Sequence, residues 1–175
     1  MLRKNKKKGQ VWIETVTYTL VAFVLIALIL AFVKPKIDQL QDQALIEQSF
    51  KMLNGIDSVV NSVYDTGIGN KRMVELSIKK GALTINSTNN SLSFLFEGKH
   101  MYSEPGQKFK EGSFDVLTTQ EGSDYIVLIE RHYPNLNFTY LDSEESRTLS
   151  SSSTPYSLFI SNKGGTSQQI DFQIQ

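Results

Sequence analysis

Residues 11 to 33 read VWIETVTYTLVAFVLIALILAFV, a run that is apolar except for Glu14 and three threonines. As an α-helix this run would span roughly 35 Å, against about 30 Å for the hydrocarbon core of a bilayer. A buried core helix would normally be shorter and flanked by polar turn residues. The pattern therefore predicts a membrane-spanning helix, and every other part of the chain has to be arranged around it.

Charge sets its direction. Arg3, Lys4, Lys6, Lys7 and Lys8 precede the run with no acid among them, while only Lys34 and Lys36 follow it closely. Basic residues stay on the cytoplasmic side, so the N-terminus is expected inside and the C-terminus outside. Trp12 and Tyr18 fall toward the N-terminal half, where amphipathic rings mark an interface, with Tyr18 lying deep for that role. A secretory signal would have an apolar core of about 7–15 residues ending in a small-x-small site, and neither Ala27 nor Ala31 forms one. The formal net charge is zero, but without residues 1–9 it falls to about −5, which disfavours nucleic acid as a partner. The chain has no cysteine and only two histidines, His100 and His132, so thiolate chemistry and a histidine-rich metal centre are not expected.

Lys34-Pro35-Lys36 interrupts the apolar run, and a kink is expected at Pro35 because proline removes a backbone donor and crowds the preceding turn. Beyond it Leu45, Ser49, Met52, Ile56, Val59 and Val63 follow spacings of three and four. Ile46, Phe50, Leu53, Val60 and Tyr64 widen that face, and Lys51, Asn54, Asp57, Ser58, Asn61 and Ser62 are assigned to the opposite, polar side. This predicts an amphipathic helix over 34–66, ended by Gly67-Ile68-Gly69. From residue 73 the period changes to two. Strands are expected around 74–78 and at 82–87, 91–97, 114–119, 124–132, 135–141, 156–161 and 168–174, with a turn at Asn162-Lys163-Gly164-Gly165. Residues 142–155, DSEESRTLSSSSTP, read as an exposed loop. The expected class is α+β: a long N-terminal helix, half transmembrane and half amphipathic, packed on a mainly antiparallel β-rich head at 67–175.

The junction KKKGQVWIETVTYTL, residues 6–20, joins a basic leader, a glycine and a glutamate five residues beyond it inside an apolar helix. It resembles the prepilin-type leader of type IV pilin-like proteins, and more narrowly the archaeal class III signal-peptide group. In that group a glutamine follows the cleavage site and a glutamate comes four residues later; Gln10 and Glu14 stand in those places. Trp12 departs from the serine common in the group, and Gln10 from the phenylalanine that opens bacterial type IV pilins. The resemblance covers residues 3 to 33. It implies a leader at 1–9 cut between Gly9 and Gln10 by a prepilin peptidase. It also implies an assembly helix at 10–33, and an assembly ATPase and platform protein that extract the subunit from the membrane into a surface filament.

Cleavage after Gly9 would leave an α-amine on Gln10 one helical turn from Glu14. That amine could neutralise Glu14 within the chain during storage in the membrane, or pair with a neighbouring subunit's Glu14 and set the register of the helix bundle. Cyclisation of Gln10 to pyroglutamate would abolish both pairings. The plainer reading is that Glu14 reaches the headgroup region beside Lys8, since a carboxylate near the membrane edge is costly without a partner. N-x-S/T motifs at Asn86, Asn89 and Asn137 fall in the expected outer head, where glycosylation is topologically open. Asp142, Glu144 and Glu145 lack the spacing of a calcium loop. No cofactor and no catalytic constellation emerges. The sequence thus leads to a filament subunit, stored in the cell membrane and displayed outside after assembly. A single-pass anchored binding domain that never polymerises is the alternative, and an anchored enzyme is the weakest reading.

Overall fold

The structure, a computed structural model, describes the backbone of residues 6–165 and 168–175, and the side chains of those residues from Val11 onward. Residues 1–5 of the expected leader lie outside the described residues. The chain divides into two compact units, Met1–Gln39 and Leu40–Gln175. One helix, α1 (Lys6–Thr66), contributes to both, and its helical assignment continues through Pro35.

In the first unit the described side chains of residues 11–33 are all exposed. Among the described residues this is the one helix long and apolar enough to cross a membrane.

The second unit packs the C-terminal part of α1 on ten strands: β1 (Lys71–Leu76), β2 (Ala82–Asn86), β3 (Ser91–Gly98), β4 (Lys108–Glu111), β5 (Phe114–Glu121), β6 (Asp124–His132), β7 (Asn137–Tyr140), β8 (Arg147–Ser150), β9 (Tyr156–Gly164) and β10 (Gln169–Ile174). They form a six-stranded sheet in the order β4-β5-β6-β3-β2-β8 and a four-stranded sheet in the order β1-β9-β10-β7. All pairs are antiparallel except β10 with β7. The fold is thus α+β, a helix packed on an antiparallel-rich β head.

Alternation explains the sheets. In β3, Leu92, Phe94 and Phe96 point into the core while Ser93, Leu95 and Glu97 point away, and the paired residues Val127 and Ile129 of β6 follow the same parity. Facing them, Ile46, Leu53, Ile56, Val60 and Val63 of α1 are wholly buried, with Phe50 set edge-on to Phe114 at 6.4 Å. Gly67 ends the helix in the left-handed conformation (φ 96°) that glycine adopts without strain, its N–H donating to the Tyr64 carbonyl at 3.2 Å.

Several expectations require correction. Asp57, placed on the polar side of the helix, is buried: it sits four residues after Leu53 and three before Val60, which puts it on the core face. Residues 142–155 are not wholly loop, because Arg147–Ser150 pairs with β2 as β8; only Leu149 of that strand is buried, so its apolar pattern is too short to read. The β4 strand was likewise unmarked, its two lysines lying on an edge. Finally, β9 runs on to Gly164, so of the four residues expected to form the turn only Gly165, with a left-handed φ of 95°, lies in it.

Candidate functional site

Two features are available for function: the uncovered helix and the surface of the head. In the helix, the polar atoms that threonine would otherwise expose are turned inward. Thr15, Thr17 and Thr19 donate their hydroxyls to the carbonyls of Val11, Ile13 and Thr15 at 2.9, 2.8 and 2.8 Å. Such back-bonding satisfies each hydroxyl within its own helix and leaves a methyl outermost, which suits hydrocarbon surroundings. Trp12, Tyr18, Phe23 and Phe32 are among the most exposed side chains of the segment, at 69, 74, 66 and 80 %. Aromatic and aliphatic groups exposed over this length favour leaving water, since each CH₂ moved out of water contributes about 0.8 kcal/mol. The segment has the length and composition of a membrane anchor.

Gly9 and Gln10 lie in the first turns of α1, with side chains outside the described set; Glu14 lies exposed one turn further on. Gln10 and Glu14 both belong to α1, four residues and so about one helical turn apart.

Three polar clamps tie the rest of α1 to the sheets, and none was read from the sequence. Asp42, only 5 % exposed, accepts from Lys80 Nζ at 2.6 Å and from the backbone N–H of Lys99 at 2.6 Å. Gly98 makes room for it, since a Cβ there would collide with the Asp42 carboxylate. Lys80 also sits over the Phe96 ring, 4.8 Å from its centroid. Further along, Asp57 pairs with Arg131 and accepts the Tyr133 hydroxyl at 2.7 Å, while Arg131 lies over the Tyr133 ring at 4.9 Å. Burial, then the hydrogen bond to the Asp57 carboxylate, push the Tyr133 phenol above its ordinary 10.0, with Arg131 opposing. Third, the Asn162 amide donates to the Val63 carbonyl at 3.3 Å. The one available signal was aspartate at core-face spacing: Asp42 stands four residues before Ile46, and Asp57 between Leu53 and Val60.

The glycosylation motifs are scattered. Asn86 closes β2, its Oδ1 accepting from the Asn89 N–H at 3.0 Å and the Ser146 hydroxyl at 3.3 Å; Asn89 is exposed in the following turn. Asn137 is half-buried on β7, and its Thr139 is buried with the hydroxyl donating to Asp171 at 2.9 Å. His132 pairs with Glu130 on the same strand at 3.3 Å. Asp142 bonds Lys163, Glu144 and Glu145 are exposed, and among the described residues no group of three or more His, Cys, Asp or Glu could hold a metal ion.

Compared with protein-family models, with curated proteins and with solved structures, the chain finds no match.

Proposed function

We propose that this chain is the structural subunit of an extracellular type IV pilus-like filament serving adhesion or a related surface task. A prepilin peptidase would cut between Gly9 and Gln10, and an assembly ATPase with its platform protein would draw the subunit from the membrane. The supporting observation is the uncovered apolar helix at 11–33, entered through a basic leader and carrying Glu14 as its one charged side chain. A helix of this kind has two environments that cover it on all sides: lipid, and the same helix from neighbouring subunits. Moving from one to the other exchanges apolar contacts for apolar contacts, so a charged group such as Glu14 can distinguish one axial position of neighbouring helices from another. The new α-amine of Gln10 would pair with it and set the axial register.

The test is the mass of the N-terminal peptide from protein made in its native host. A chain beginning at Gln10, free or cyclised, supports prepilin processing; one still beginning at Met1 or Leu2 refutes it and leaves a simply anchored extracellular binding domain. Glu14→Ala should then abolish filaments while leaving membrane insertion and cleavage intact. Unchanged filaments would remove the register role from Glu14.

A further inference from the structure

The outer face of the four-stranded sheet carries a cleft of about 350 Å³ whose lining includes Lys71, Leu141, Ser161, Lys163, Asp171 and Gln173. The register explains why these residues meet. Ser161 pairs with both Lys71 and Asp171, and Asp171 with Thr139, so one row crosses all four strands; Met73, Phe159 and Gln173 form the adjacent row.

Asp171 is the floor, and it is only 5 % exposed. Its Oδ1 is occupied, accepting the Thr139 hydroxyl at 2.9 Å and the Asp142 N–H at 2.7 Å. Its Oδ2 takes no hydrogen bond from the described residues. The nearest cation, Lys163 Nζ, stands 3.9 Å away and is held instead by Asp142 at 2.7 Å. With no hydrogen bond of its own and yet not sealed from solvent, Oδ2 is open to a donor entering the cleft.

The rim carries backbone strain. Leu141 and Asp142 both adopt left-handed backbone conformations, φ 53° and 59°, in a two-residue turn closed by the Tyr140 and Ser143 N–H groups on each other's carbonyls at 2.8 and 3.1 Å. Such a turn favours asparagine or aspartate followed by glycine. Leucine is strained there, and its side chain is 55 % exposed, so no core packing compensates the strain. Opposite, Lys71 bonds Gln173 at 3.1 Å and lies 4.7 Å from the centroid of the Phe159 ring.

The chemistry of the cleft narrows the ligand. Two lysines and two aspartates leave it without net charge, so no ionic ligand is favoured. Lys163, bridging toward both carboxylates, denies a metal ion the space between them. What remains is a mixture of donors and acceptors beside an exposed leucine, which matches a ligand bearing hydroxyls on one edge and C–H groups on its face. We propose that this cleft binds a neutral saccharide, with a sugar hydroxyl donating to Asp171 Oδ2, Gln173 and Lys71 fixing its neighbours, and Leu141 packing on the ring face. The inference concerns the head alone and stands whether or not the chain polymerises.

The experiment applies the full chain, in a detergent without a sugar headgroup, to immobilised neutral and acidic oligosaccharides. Retention on neutral sugars is expected, and Gln173→Ala and Leu141→Gly should each weaken it about tenfold, the loss of one good contact. Leu141→Gly is decisive because glycine relieves the turn: its thermal midpoint should rise while binding falls. Binding unchanged by both substitutions, retention confined to acidic sugars, or no retention at all would each overturn the proposal.

Discussion

At the residue scale, the side chains that matter most in the head are polar ones at apolar positions. Asp57 shows why. Arg131 and Tyr133 converge on it inside the core, and the side chain of Arg131 retains only 20 % of its exposure. Removing the carboxylate takes the anionic partner from a half-buried guanidinium that keeps only the Ser113 hydroxyl, so Asp57→Ala should cost about 2 kcal/mol in chemical denaturation. Asp57→Asn should cost less, because an amide oxygen can still accept the Tyr133 phenol; equal losses would mean that charge is the whole effect. The same contact makes the head sensitive to alkali. Tyr133 is pushed above 10.0 by burial, and Tyr102 is raised by partial burial and by its hydrogen bond to Glu111. A folded-state value above the unfolded one gives stability that is complete below about pH 10 and lost as pH rises toward the folded value. The thermal midpoint should therefore hold steady from about pH 8 and fall above about pH 10. Tyr133→Phe should flatten that fall in part, with Tyr102 supplying the rest, and an unchanged profile would show that the Tyr133 phenol is not held above its unfolded value.

At the scale of elements, α1 has two characters that the same substitution can tell apart. Leu53 is wholly buried in the head, whereas Leu25 is 54 % exposed. Leu53→Ala should destabilise the head by about 3 kcal/mol through the cavity it leaves. Leu25→Ala should leave the melting of the head unchanged and instead weaken assembly under the filament reading. A Leu25→Ala protein that melts early would mean that the segment already packs within the monomer. Long strands with strict alternation, such as β3 and β6, were legible in sequence because half their residues are forced into the core. The short edge strands β4 and β8 were not, because an edge strand can be held by backbone hydrogen bonds with a single inward side chain.

At the scale of the whole molecule, the compact unit that begins at Leu40 contains its own core, drawn from the C-terminal part of α1 and both sheets. A chain beginning at Lys34 should be soluble without detergent and unfold cooperatively, while the full chain requires detergent; aggregation of the shorter chain would show that the head depends on the segment before it. The sequence by itself determined the apolar helix, the change of period from helix to strand, and the spacing that sets Glu14 one turn from Gln10. These are local properties, written within a few turns of helix or a single strand. The tertiary structure alone decided that Asp42 and Asp57 point inward, that β7 and β10 lie parallel, and that Lys71, Leu141 and Asp171 surround one cleft. Each of those depends on which strands become neighbours. Burial of a polar group is read wrongly from its own segment whenever its partner, such as Arg131 for Asp57, is contributed from far along the chain.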